Sequence, residues 1–438
     1  MLIAGTTVVI SLMGLFLMGL PYLYGAALAT IAAVVVVMAA SVTLVPALLS
    51  FAGTRIDRLR IPGTNRAPAD PQSAPAARWG RRVQQRPWLA AIAGVAVLLV
   101  LASPFAGLRL GFPDRGNDAT DTTTRQAYDL VAQGFGPGAN GPLLVAAPTG
   151  GAADEQEMTA LAATLREQPG VAAVTEPAIA PAGDAAVITV IPTTSPQDGA
   201  TEDLVHHLRG DVLPRAGLPV ELGGQTAAFM DQSQATADRL PLFIGGVVGL
   251  SFLLLLFSFR SVTVALKAGA MNLLSIAAAY GVVAYLAEGG WAGQLVGIDT
   301  ETPVPPFIPV IMFAVLFGLS MDYEVFLLSR VREEFLARGD TARAVTEGLA
   351  RTARVITAAA LIMVAVFGAF ALSPDVSLKL IGLGLAAAIL VDATIVRMVL
   401  VPAVMQLLGD RNWWLPRWLD RVIPEGGLEG HAVSATAR

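Results

Sequence analysis

The first 54 residues contain no Asp, Glu, Lys, Arg or His. A soluble fold does not sustain such a run, because globular chains carry about 25% charged residues spread along their length. A bilayer does, since its hydrocarbon core is crossed by about 20 apolar residues rising 1.5 Å each. The run has room for two crossings, divided at Pro21. Composition agrees: 54% of the 438 residues are hydrophobic and only 14% are charged, with a mean hydropathy of +0.63. The chain reads as a polytopic membrane protein. Its spans are expected to be helices, because lipid leaves backbone groups no partner except within a helix or a closed barrel.

Charge-free runs of sufficient length predict eight spans, at 2–20, 22–49, 88–108, 240–259, 268–286, 305–328, 355–372 and 380–408. Lys and Arg in the loops set the orientation. Residues 53–87 hold eight arginines against two acids, 260–267 two cations and no acid, and 330–354 six arginines against four acids. By contrast 288–302 has three acids and no cation, and 109–239 has seventeen acids and seven cations. The expected arrangement in the plasma membrane is therefore two transmembrane helices over 1–52, a cytoplasmic Arg/Pro/Ala-rich linker over 53–87 and a transmembrane helix at 88–108. An extracytoplasmic domain over 109–239, a five-helix bundle over 240–408 and a cytoplasmic tail over 409–438 follow. Met1 leads into apolar sequence without a basic region, unlike a cleaved secretory signal, as if the chain opened in the middle of a membrane domain.

The insert at 109–239 is long enough to bury a small core. A short apolar run at 142–147 predicts a strand, and Met158, Leu161 and Leu165 mark one face of a helix over 154–168. Strands are expected at 171–174 and 186–191, a helix at 202–213 and a strand at 218–222. The order βαββαβ is that of an α+β ferredoxin-like unit.

Several chemistries fall away. The chain has no cysteine, and His206, His207 and His431 are its only histidines, so neither a thiolate nor a histidine-rich metal site is expected. No phosphate-binding or Ser-His-Asp motif is visible, which argues against an enzyme and against ATP. The net charge of −5 disfavours nucleic acid as a partner. Ionisable residues at bilayer depth are expensive and point to function. Asp322 follows the charge-free run 303–321, while Val325-Phe-Leu-Leu328 continues the apolar pattern. It reads either as a cap, with Glu324, at the cytoplasmic boundary or as a proton-carrying carboxylate beside the Tyr323 hydroxyl. Asp392 lies ~18 Å along its helix from Leu380 at 1.5 Å per residue, and bonding to another helix is expected. Arg397, five residues on, is 140° around an ideal α-helix, so it is not expected to face Asp392 and could instead snorkel to the boundary. Asn272 and Ser275, with Gly281 and the pair Gly245 and Gly249, are at helix-packing spacing.

The run Phe317-Gly-Leu-Ser-Met-Asp-Tyr-Glu-Val-Phe-Leu-Leu-Ser-Arg330, followed by Val-Arg-Glu-Glu334, resembles the signature of MMPL-type transporters of the RND superfamily. Ala270-Met-Asn-Leu-Leu-Ser275, Arg354-Val-Ile-Thr-Ala-Ala-Ala360 and Leu390-Val-Asp-Ala-Thr-Ile-Val-Arg397 are similar to that family's ninth, eleventh and twelfth helices. The resemblance implies a proton-driven exporter of lipids or other hydrophobic small molecules, using the proton gradient and no cofactor. It implies Asp322 and Tyr323 as the proton relay and 109–239 as a porter domain. Asp392, Arg397, Asn272 and Ser275 remain candidates for an intramembrane polar network. The eight spans correspond to the family's fifth to twelfth, so an N-terminal half or a second copy of the chain is expected as partner. Two other readings compete: a non-transporting lipid-binding or scaffold protein of the cell envelope, and an RND-type protein-export accessory.

Overall fold

The computed structural model describes residues 2–53 and 75–421. Residues 54–74 of the Arg/Pro/Ala-rich linker expected over 53–87, and the end of the tail, lie outside the described residues. The chain begins with α1 (Leu2–Met13), whose helix tightens into a 3-10 turn at Gly14–Met18 and stops at Gly19, in the left-handed region at φ 62°. Pro21 then opens α2 (Pro21–Ala52), its fixed φ suiting a first helical turn. Two short helices meet at Arg86: α3 (Pro75–Gln85) and α4 (Pro87–Ala102).

The segment that follows has α5 (Thr123–Phe135), β1 (Leu143–Pro148), α6 (Ala152–Arg166), β2 (Val171–Val174), β3 (Ala178–Ile179), β4 (Ala185–Pro192), α7 (Gly199–His207) and β5 (Glu221–Gly223). The sheet order is β2-β4-β1-β5, antiparallel throughout, with β3 paired to β4. Alternation explains its one-sided core: Leu143, Val145 and Ala147 of β1 and Ala186, Ile188 and Val190 of β4 face inward, as the two-residue period of a strand requires. Met158, Leu161 and Leu165 of α6 and Leu204, Val205 and Leu208, at and just beyond α7, close over that face. The predicted elements are present; α5 and β3 are additional. The helix expected over 202–213 ends sooner, giving way to a π-helical turn at Leu208–Val212.

The remaining helices are α8 (Gln225–Phe259), α9 (Val262–Ala287), α10 (Trp291–Leu295), α11 (Phe307–Arg338), α12 (Thr341–Gly368), α13 (Val376–Val391), α14 (Val401–Leu408) and the single turn α15 (Arg417–Asp420). Side-chain oxygens receive backbone N–H groups at three of their starts: Ser261 at α9, Asp340 at α12 and Asp375 at α13, which satisfies donors with no partner inside the helix. Seven helical stretches are long and apolar enough to cross a membrane. The first expected span corresponds to α1 and its 3-10 turn, apolar over Gly5–Met18 among the residues searched, and Gly19 and Pro21 separate it from α2.

The bundle is layered. The most apolar stretches of α9, α11 and α13 are mostly buried, those of α4 and α12 only 11% buried, and that of α2 not at all. Gly281 permits one close approach, since a Cβ there would lie 1.9 Å from the Leu101 carbonyl oxygen. Gly245 and Gly249, expected to pack, face open space; Gly246 between them meets Leu17 instead. At one end of the bundle Gly111 N donates to the Val304 carbonyl and Val304 N to that of Arg109, tying the sheet-bearing segment to the approach to α11.

Candidate functional site

Helix α11 runs 32 residues, and Ser320, Asp322, Tyr323 and Glu324 stand near its middle. None of the four caps a helix end. The covering helix is α1. Its Thr7 hydroxyl donates to Asp322 Oδ1 at 3.2 Å, and its Ser11 hydroxyl to the Ala314 carbonyl at 2.8 Å. Thr7 and Ser11 are four residues apart, hence on one helical face, and both are buried. Gly318 lets α1 come close, its missing Cβ leaving room for Val8.

A second group forms where α9, α11 and the continuation of α13 meet. Arg397 Nε donates to Asp392 Oδ2 at 2.8 Å, against the expectation that the two cannot face each other. The reason is local. Residues Asp392–Leu400 are π-helical, and a backbone closed by i→i+5 hydrogen bonds stacks residues five apart. Arg397 is also 2% exposed, so it does not snorkel. Its Nη2 donates to the Ser320 backbone carbonyl, and to the Ser320 hydroxyl at 3.2 Å. That hydroxyl lies 2.6 Å from Asn272 Oδ1 and 3.0 Å from Asp392 Oδ1, one proton between two acceptors. Asn272 completes its set by donating to Met321 Sδ at 3.0 Å.

Tyr323 joins the two groups. Its ring lies 5.3 Å from the Arg397 guanidinium, within reach of a cation–π contact, and its hydroxyl donates to Met363 Sδ on α12 at 3.7 Å. Ser275 lines a cavity of about 20 Å³ together with Asn272, Ser320, Tyr323 and Asp392. That is room for about one water, placed among groups able to pass a proton. Asp392, Arg397, Asn272 and Ser275 are thus brought together, and Asp322 with Tyr323 adjoins them.

Sequence reasoning missed Ser320 and Thr7. Ser320 is the only hydroxyl residue in the run 303–321, and the Thr7–Ser11 spacing was a second available signal. Two more charges, read as boundary residues, are buried: Lys267 is 7% and Glu324 2% exposed. They lie in electrostatic range of each other, yet Lys267 Nζ and Glu324 Oε1 have no hydrogen-bond partner among the described residues.

A larger cavity of about 830 Å³ opens at the sheet-bearing end, between the approach to α5, the first turns of α8 and the start of α11. Phe112 stacks on Phe229 at 4.4 Å and tilts toward Phe307 at 6.3 Å, giving it an aromatic wall. Across it Asp114 accepts from Gly116 N at 2.7 Å and from the Tyr128 hydroxyl at 3.0 Å. Burial pushes the Asp114 carboxyl above the usual carboxylate range, the two hydrogen bonds opposing it, and burial likewise raises the Tyr128 phenol.

Known proteins resemble this chain. The chain is 39% identical to membrane protein YdfJ of Bacillus subtilis, across 98% of this chain and 59% of that one. It is 38% identical to the mycolic acid-containing lipids exporter MmpL11 of Mycolicibacterium smegmatis, across 98% and 46%. With the trehalose monomycolate exporter MmpL3 of Mycobacterium tuberculosis the identity is 32%, across 96% and 48%. The chain therefore spans about half the length of the curated relatives it matches. Among solved structures, a heavy metal efflux pump shares the fold at a TM-score of 0.57 and 13% identity, over 93% of this chain and 58% of that one. With the MMPL family matched over residues 1–90 and 119–424, this multi-pass membrane protein belongs to that family.

Proposed function

We propose that the chain is the C-terminal part of a proton-driven exporter of lipids or other hydrophobic molecules across the plasma membrane, with Asp322 and Tyr323 as its proton relay. One observation carries the reading. Asp392, beyond α13, sits in a buried polar network and the half-buried Asp322, near the middle of α11, adjoins it, where ionisable groups are costly unless used. Arg397 neutralises Asp392, whereas Asp322 makes no ion pair with an arginine or lysine among the described residues and holds the Thr7 hydroxyl instead. A proton arriving at Asp322 removes a charge and turns an acceptor into a donor, so the Thr7 hydroxyl can reverse its role. This changes how α1 and α11 hold each other. Tyr323, adjacent and in contact with Arg397, carries that change to the Asp392 network.

In this reading residues 109–239 lie outside and the tail and α3 inside, as the arginine bias of the loops supports. The sheet with α6 and α7 on one face is read as a ferredoxin-like porter unit, β3 being an addition to it. The cavity walled by Phe112, Phe229 and Phe307 is of a size that suits hydrophobic ligands, and substrate passes through it. Repeat-built transporters work by rocking one bundle against another, so an N-terminal half or a second copy supplies the opposing bundle.

The test is Asp322→Asn in the protein's own cells, followed by release of isotopically labelled lipid with the proton gradient intact or collapsed. Export in the parent should need the gradient, and the variant should lose that gradient-dependent part. Undiminished export by the variant sinks the relay. Gradient-independent behaviour in the parent favours a lipid-binding or scaffold role.

A further inference from the structure

We propose that the exposed face of α3 is a binding surface for the anionic headgroups of the lipid leaflet at that end of the bundle. Helix α3 is amphipathic. Ala77, Gly80 and Val83 are buried against α12, with Gly80 facing the Leu349 side chain. Arg78 and Arg82 stand on the other side one helical turn apart, and Arg86 follows at the bend just past the end of the helix, all three exposed. They make no ion pair among the described residues. A helix with an apolar side, a basic side and aromatic residues characteristically lies in the membrane interface.

Depth comes from the neighbours. Only Arg86 separates α3 from α4, the chain turning there at φ −135° and ψ 63°, and α4 is part of a membrane-crossing stretch. Trp79 and Trp88 flank the arginine stripe and are 45% and 68% exposed. Tryptophan concentrates at the level of lipid headgroups, which sets the stripe beside phosphates rather than in bulk water. Guanidinium matches phosphate in charge and in the fork of its donors.

The surface is also held in place. The Trp79 indole N–H donates to the Met398 carbonyl at 2.9 Å, Gln84 Nε2 to the Ala342 carbonyl at 3.0 Å, and the Thr346 hydroxyl to Gln84 Oε1 at 3.0 Å. These three bonds fix the roll of α3, so the arginines cannot turn inward. Met398 is the residue after Arg397, so the surface is anchored one residue from the buried ion pair. This inference goes beyond export and is measured without a proton gradient.

The experiment reconstitutes the full chain in phosphatidylcholine vesicles with spin-labelled phosphatidylglycerol or phosphatidylcholine, and reads the motionally restricted fraction of each. The parent should prefer the anionic lipid, with the preference vanishing near 1 M salt, where the Debye length is about 3 Å. Replacing Arg78→Gln, Arg82→Gln and Arg86→Gln should weaken the preference by about fivefold per charge removed. The set Arg78→Lys, Arg82→Lys and Arg86→Lys should retain most of it. An unchanged preference in the glutamine set overturns the proposal and turns attention to an acidic protein or RNA at this face. Equal loss in the lysine set, or a preference that survives high salt in the parent, overturns it as well.

Discussion

The sheet-bearing segment and the helical bundle obey one physical rule and come out reversed. In the sheet unit the buried set is almost wholly aliphatic, with Leu143, Val145, Ile188 and Val190 at 0% exposure, while its ion pairs lie outside, such as Arg166–Glu176 with side chains 39% and 73% exposed. In the bundle the outer surface carries Leu28, Val36 and Phe51, all more than half exposed, and Arg397 and Asp392 lie inside. The difference is the solvent. Water rewards polar groups at the surface, whereas lipid is as apolar as leucine, so polar groups gain only by meeting one another within the bundle.

Six substitutions probe that contrast. The largest effect is expected from Arg397→Met, which strands the Asp392 carboxylate and should cost about 3–5 kcal/mol of stability, read from thermal unfolding in detergent. Adding Asp392→Leu should restore much of that loss, since two apolar side chains can replace a buried pair. A double variant as unstable as the single one would show that the network holds the helices together by more than charge balance.

Packing gives the next effect. Gly281→Ala places a methyl against the Leu101 carbonyl and should cost about 1–3 kcal/mol by overpacking. Gly249→Ala, in open space, should be neutral or stabilise by about 0.4–1 kcal/mol. Equal effects of the two would mean that α4 and α9 can separate freely.

A smaller, pH-dependent effect belongs to Asp114. Its folded-state pKa is raised above the reference 3.8 by burial. The corresponding stability is therefore present below pH 3.8 and lost as pH rises through the folded-state value. Asp114→Asn removes that dependence, so the melting temperature of the variant minus that of the parent should grow more positive from pH 3.5 to pH 7. A flat difference would place Asp114 in a wetter setting. Least is expected from Arg166→Gln at the exposed pair with Glu176, about 0–1 kcal/mol. A loss near that of Arg397→Met would erase the contrast between the two regions.

Much of this architecture could be read from residue order, and the misses share a cause. Strands β1 and β4 were legible as short apolar runs bounded by turn-like residues. The long spans were legible because lipid tolerates no charge. Helix α3 was taken as linker because four arginines in 75–86 obscure its three small buried positions. The Asp392–Arg397 pair was missed because an ideal α-helix was assumed where the backbone is π-helical. Ser320 and Thr7 were not singled out because a hydroxyl on a helix surface does not announce which neighbour it faces.

The sequence by itself determined that the chain crosses a membrane repeatedly, which long apolar stretches can cross, and that an α+β segment interrupts them. These follow from transfer free energies, which are local and additive along the chain. Only the tertiary structure decided that Thr7 meets Asp322, that Arg397 turns back onto Asp392, and that Gly281 rather than Gly249 carries a close contact. Those outcomes depend on how one helix is rolled against another, a choice made by the whole set of side chains at each interface and written in no single stretch of sequence.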